Sequence, residues 1–319
     1  MFIQQAVSDE NKFWKHLLGS VVVMMASFIG QLPLMVALLI NSYSTGRDFP
    51  RDSQDVTNYL DSNLTLTLVM LAFVFALAAL FGWQRVIHKQ TILNMTTTRK
   101  RVDWERILFA FGLWALFLIA VTSIDYFTQP ENYQINFQLV PFLILFVIGL
   151  IFIPIQTSTE EYIFRGYLMQ GFGILSGNKW FPLMMTSLIF GLMHIANPEV
   201  SKMGYIIMVY YIGTGLFLGI LTLMDEGIEL SLGFHAANNL IGALLVTADW
   251  SAFKTNSILK DMSAPSAGFD VILPVFVIFP ILLFIFSKKY GWTNWSDKLF
   301  GKINLQSNDD NYSTEKHLR

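Results

Sequence analysis

The sequence predicts an all-α polytopic membrane helical bundle of about eight transmembrane helices, with both termini on the inner side. Three observations carry this expectation. Of the 319 residues, 54% are hydrophobic and only 14% charged, whereas soluble domains run at about 25% charged. Eight apolar stretches come near the roughly 20 residues that carry a helix across a bilayer. Lys and Arg gather in alternate loops, as the positive-inside rule requires.

The first span is read at 17–40, too long for the apolar core of a signal peptide and without a small-residue cleavage site; a bend is expected at Pro33. The second falls at 64–84 and the third at 107–124. Between them lies the basic stretch TTTRKRVDWER, read as an orientation signal rather than a lipid-headgroup site. The fourth, at 138–157, contains FQLVPFLILFVIGLIFI, an almost charge-free run. The fifth is placed at 181–197, stopped by Asn197-Pro198. Gly215 and Gly219 lie in the sixth, at 204–224, as a GxxxG packing face. The seventh and eighth are placed at 229–247 and 268–287. Residues 1–289 form one bundle with its chemistry near 139–247, and 290–319 are a polar C-terminal tail.

Orientation follows from the loops. With the N-terminus inside, Arg85, Lys89, Arg99, Lys100, Arg101 and Arg106 cluster between spans two and three. Arg47, Arg51, Lys202, Lys254 and Lys260 are spread over the outer loops. A net charge of −2 without a basic, aromatic-laced surface argues against nucleic acid. The chain has no Cys, which removes disulfides, thiolate nucleophiles and cysteine-ligated zinc.

Directly behind the fourth apolar run stands PIQTSTEEYIFRGY, residues 154–167. An ionised side chain at the centre of a membrane helix costs about 2.5–3.5 kcal/mol on insertion scales, so its presence there asks for a reason. Glu161 and Arg165 are four apart, on one helix face, in the favourable acid-before-base order. Glu160 points about 100° away and need not share that pair. The plain alternative is a salt-bridged helix end at the interface.

A second cluster sits deep in the fifth span, where Phe190 and His194 are one turn apart. A lone His in an apolar helix is more often a satisfied core residue. Yet the chain has five histidines, and only His194 and His235 lie well inside apolar runs. His235 opens the third cluster, one turn from Asn239, with the small Ala236 and Ala237 between them. Interhelical hydrogen bonding, at about 0.6 kcal/mol, explains such a pair equally well. Together, the three clusters supply a carboxylate base, a group to position water and donors for an oxyanion, the inventory of a hydrolase. One geometric condition applies. Glu160 meets His194 at mid-depth only if span four is kinked at Pro154 and stays helical through Glu160 to about Leu168.

In these residues the chain resembles the CPBP family of CAAX proteases and bacteriocin-processing intramembrane peptidases, which includes "abortive infection" proteins. Its pattern is EExxxR, FxxxH and HxxxN on three membrane helices, and the likeness covers about residues 139–247. The resemblance implies that Glu160 activates the attacking water, that His194 helps hold it, and that His235 and Asn239 stabilise the oxyanion. It makes Glu161 and Arg165 orienting residues and Phe190 a wall of the site. A Glu with two His is also a zinc-ligating set in principle; with no HExxH, a metal-free mechanism without cofactor is the expectation. The implied partners are a peptide or membrane-protein substrate and the lipid bilayer, and the implied location is a bacterial cytoplasmic membrane. A transporter or proton- or ion-coupled carrier using the same buried Glu and His stays open as an alternative, as does a catalytically silent scaffold.

Overall fold

The computed structural model describes residues 1–8, 11–251, 254–265 and 268–305. Its principal helices are α1 (Phe13–Thr45), α2 (Ser62–Val86), α3 (Trp104–Thr128), α4 (Leu139–Ser176), α5 (Trp180–Leu192), α6 (Ile207–Asp225), α7 (Glu229–Leu245) and α8 (Val271–Tyr290). Short polar side chains start several of them: Asp61 accepts from the amides of Asn63 and Leu64, and Asp103 from those of Glu105 and Arg106. Gly46, Gly177 and Gly291 end others in the left-handed conformation.

Six helices, α1 to α4, α6 and α8, are long and apolar enough to cross a membrane. The two remaining predicted spans are helices of 13 and 17 residues. At 1.5 Å per residue they reach about 20 and 25 Å, short of a hydrocarbon core of about 30 Å. The fifth ends at Leu192, so His194 lies in the turn beyond it rather than deep in a helix. The seventh ends where Val246–Ala248 leaves as a strand. In the opposite sense, α1 begins at Phe13 and takes in His16, which the sequence reading left outside the first span.

Lipid-type surface covers the outside. Phe28, Ile40, Leu108, Leu116, Phe127 and Phe284 are all more than half exposed on the helix faces, too much apolar area for water to tolerate. Inside, α1 packs on α2, α2 on α4, α4 on α7, α7 on α3, and α5 on α6. The aromatic centre joins α3, α6, α7 and α8. Phe217 stacks on Phe279 at 4.5 Å, and Trp114 meets Phe234 at 4.5 Å. Gly215 lets α6 press against α5, since a Cβ there would stand 2.8 Å from the Ser187 carbonyl oxygen.

The first residues and the segment 292–303 pack at one end of the bundle. Phe2 and Ile3 are buried, and Trp292, Leu299 and Ile303 join the same core. Their neighbours are the α2–α3 loop and the α6–α7 turn. There Arg99 binds Asp225 at 2.9 Å and Glu229 at 3.1 Å, and Lys179 reaches Asp297 at 3.0 Å. Of the predicted polar tail, 306–319 lie outside the described residues. At the opposite end, β1 (Tyr133–Ile135), β2 (Val246–Ala248) and β3 (Leu259–Asp261) form a small sheet in the order β1-β3-β2. It ties the α3–α4 connection to the α7–α8 connection.

The longest helix, α4, carries the charged motif. It passes Pro154, whose neighbours are restrained by Thr157 Oγ1 donating to the carbonyls of Ile153 and Pro154. From Tyr162 to Leu168 the backbone winds as a π-helix, and then it continues as α-helix to Ser176, beyond the expected Leu168. Such wide turns are rare and concentrate at functional sites. This one is clamped on its flank: Tyr162 Oη pairs with Thr96 Oγ1 at 2.8 Å, and Tyr167 Oη with His88 Nε2 at 3.1 Å.

Candidate active site

Glu160 and Glu161 end the regular part of α4, so the divergence of neighbouring side chains sends them to different partners. Glu161 is fully buried and accepts from Arg165 Nη1 at 2.9 Å. The π turn lets Arg165, also fully buried, donate through Nη2 to the Gly215 carbonyl at 3.2 Å. Its guanidinium also lies 4.4 Å from the centre of the Phe190 ring. Arg165 thus pins α4 to both α5 and α6. An uncompensated buried charge is strongly destabilising, so neither member of this pair stands without the other.

α7 brings His235 against both carboxylates. Its Nδ1 donates to Glu161 Oε1 at 2.7 Å, and its Nε2 faces Glu160 Oε2 at 3.5 Å. Glu160 itself accepts from Gln156 Nε2 at 2.6 Å through Oε1. Its Oε2 is buried with no hydrogen-bond partner, and so is Oε2 of Glu161. One turn along α7, Asn239 Nδ2 donates to Gln156 Oε1 at 2.9 Å, while its Oδ1 accepts from Asn238 Nδ2 at 3.1 Å. Asn238 Oδ1 in turn accepts from Trp114 Nε1 at 3.1 Å.

His194 joins at the edge. Its Nδ1 donates to the Phe190 carbonyl at 2.8 Å, which leaves Nε2 as the acceptor nitrogen. The ring stacks on Tyr211 at 4.5 Å and touches Phe190 at 4.9 Å; Phe190 meets His235 on its other side at 6.0 Å. Glu160, Glu161, Arg165, Phe190, His235 and Asn239 therefore form one contact network, and His194 is linked to it through Phe190. Among the described residues no three His, Cys, Asp or Glu gather as a metal-ligand group.

Sequence reasoning missed Gln156, Asn238, Trp114 and Tyr211. A signal for Gln156 was present: it stands one turn before Glu160 on the same face of an otherwise apolar helix. Asn238 sat beside a residue already singled out. Trp114 and Tyr211 carried none, because an aromatic in an apolar helix is ordinary. Chemically, the arrangement offers one unpaired carboxylate oxygen beside an imidazole nitrogen, an amide N–H₂ and a second, acceptor imidazole. These suit activation of water and stabilisation of an oxyanion.

Comparison with known proteins gives the family. The model of the Rce1-like type II CAAX prenyl endopeptidases matches residues 135–241, which contain all seven site residues. A Bacillus subtilis (strain 168) protein, described as uncharacterized protein YyaK, is 30% identical over 249 residues, which cover 77% of this chain and 82% of that protein. No solved structure matches. Six apolar helices of spanning length, the three motifs meeting in one contact network, and these matches lead to one conclusion: the chain belongs to the Rce1-like type II CAAX prenyl endopeptidase family, as a multi-pass membrane protein.

Proposed function

We propose that this protein is an intramembrane endopeptidase in which Glu160 is the general base for an attacking water. The observation that carries this reading is Oε2 of Glu160, buried, without a hydrogen-bond partner, and 3.5 Å from His235 Nε2. A water between Glu160 and the acceptor Nε2 of His194 gives up its proton to Glu160 as its oxygen bonds to the scissile carbonyl carbon. The oxyanion takes hydrogen bonds from Asn239 Nδ2 and from His235. Glu161, as a carboxylate, holds the Nδ1–H of His235; the ring then donates from Nε2 as an imidazolium, balanced by the two acids. Glu160 passes its proton to the leaving amine as the C–N bond breaks.

The site residues bury their charges among partners, which offsets the insertion cost of the acids. The basic loop Arg99–Arg106 lies at the same end as Phe2 and the segment 292–303, which supports an N-in, C-in orientation in a bacterial cytoplasmic membrane. In that arrangement α5 and α7 are two short further crossings, giving eight. The substrate class is a peptide segment at or within the bilayer. A prenylated CAAX end is the probe that the family name suggests.

The test is cleavage of a peptide library and of a farnesylated CAAX peptide by purified wild type and Glu160→Gln, read by mass spectrometry with and without chelator. Loss of about 10²–10⁴-fold in Glu160→Gln, with retained folding, is expected. Equal cleavage by both would remove Glu160 as base, and chelator-sensitive cleavage would replace the metal-free mechanism with a metal-assisted one.

A further inference from the structure

Four hydrogen bonds join three helices in a row. Trp114 Nε1 of α3 donates to Asn238 Oδ1 at 3.1 Å, and Asn238 Nδ2 donates to Asn239 Oδ1 at 3.1 Å, both on α7. Asn239 Nδ2 donates to Gln156 Oε1 of α4 at 2.9 Å, and Gln156 Nε2 donates to Glu160 Oε1 at 2.6 Å. Trp114 is 3% exposed and Gln156 4%, while Asn238, Asn239 and Glu160 are partly buried.

The two ends of this row have no freedom of role. An indole N–H only donates, and an ionised carboxylate only accepts. Each amide between them has two orientations in isolation, but only one arrangement satisfies the whole row. With Trp114 donating, Asn238 must offer its oxygen there and its nitrogen to Asn239. Asn239 must then offer oxygen to Asn238 and nitrogen to Gln156, and Gln156 must turn its nitrogen to Glu160. Aligned bonds of this kind polarise one another, most effectively in a low-dielectric interior.

We infer that Trp114, Asn238 and Gln156 form a directional amide relay that positions the two working groups of the site at once. Gln156 is its key positioning residue. The relay commits one N–H of Asn239 to Gln156 and leaves the second for the oxyanion. It also holds Glu160 by Oε1, so that Oε2 is the oxygen offered to water. Without the relay, Asn239 has no imposed orientation, and a flipped amide presents an oxygen to the developing negative charge. This inference rests on the catalytic roles proposed above for Glu160 and Asn239.

The test compares Gln156→Leu, Gln156→Glu, Trp114→Phe and the Trp114→Phe/Gln156→Leu double variant on an internally quenched, farnesylated CAAX peptide. Gln156→Leu should lose about 10–100-fold in kcat with KM held within about twofold, the mark of an interaction used in the transition state. Gln156→Glu, which places an acceptor against Glu160, should be no better. Trp114→Phe keeps the ring in the core and should lose about 3–10-fold. The double variant should be no worse than Gln156→Leu alone, because both break one chain. Full kcat in Gln156→Leu, or a double loss equal to the product of the single losses, would overturn the relay. A second readout needs no turnover: the indole ¹⁵N–¹H resonance of Trp114 in detergent, assigned by its absence in Trp114→Phe. It should shift in Gln156→Leu, three hydrogen bonds away; an unmoved resonance would also overturn the relay. If the wild type leaves the peptide uncut, or Glu160→Gln cuts it equally well, the failure belongs to the proposed catalysis, and the resonance alone decides the relay.

Discussion

Two regions of the molecule bury acids in an otherwise apolar bundle, and they treat them differently. At the end that holds Phe2 and the segment 292–303, Asp225 Oδ1 accepts from Trp292 Nε1 at 3.2 Å and its Oδ2 from Arg99 at 2.9 Å. Glu229 Oε2 accepts from Arg99 at 3.1 Å and its Oε1 from the Asp103 amide at 3.3 Å. All four oxygens are occupied, and Arg106 adds its charge 3.3 Å from Asp225. In the middle of the bundle, Glu160 and Glu161 each keep one buried oxygen without a hydrogen-bond partner. Saturated acids join elements together. Glu160 and Glu161 spend only one oxygen each on hydrogen bonds, and on the reading proposed above the open oxygen of Glu160 is the one that meets water.

The largest effect that tests this contrast is on turnover. Glu160→Gln should remove about 10²–10⁴-fold of activity while its thermal unfolding midpoint in detergent stays at or above that of the wild type. A sharp fall in that midpoint would make Glu160 as structural as Asp225. Arg165→Met should cost about 3–5 kcal/mol of stability by leaving Glu161 charged and alone; denaturation in mixed micelles measures it, and a loss below about 1 kcal/mol would sink the pinning role. Asp225→Asn is the mirror experiment, with an expected stability loss of about 1–3 kcal/mol and kcat unchanged. Lost cleavage with an unchanged midpoint would break the comparison outright.

The smallest effect is pH-dependent and belongs to the flank of the π segment. His88 lies between α2 and α3, paired with Asn11 and with Tyr167 Oη. Burial, helped by the charge of Lys15, holds its imidazole down from 6.5 to about 4. Between those values the unfolded chain binds a proton that the folded chain does not. Stability from this group is therefore complete above pH 6.5 and is lost as pH falls towards 4. The unfolding midpoint of the wild type should drop across that window, and His88→Gln should flatten the drop; an identical slope in both proteins would rule the group out.

Spacing in the sequence accounts for much of the site. Residues four apart on a helix are neighbours whatever surrounds them, so Glu161 with Arg165, Phe190 with His194 and His235 with Asn239 were legible in advance. The contact of His235 with both acids, the Arg165 bond to Gly215, and the Gln156 and Trp114 links were not. Each joins different helices, and the rotation of one helix against another comes from packing rather than from its own period. The same limit explains the spans: apolar runs near 181–197 and 229–247 look like their neighbours, yet His194 falls in a turn and α7 gives way to a strand.

By itself, then, the sequence determined that this chain is helical and membrane-embedded, and which side chains share a helix face in the first and third motifs. Composition, run length and the 3.6-residue period are local quantities and need no neighbour. Tertiary structure alone decided which oxygen of Glu160 is left without a hydrogen bond, that α4 widens into a π turn just after it, and that a tryptophan of α3 reaches an amide of α7. Those facts depend on close packing between helices, where a few tenths of an ångström separate a hydrogen bond from none.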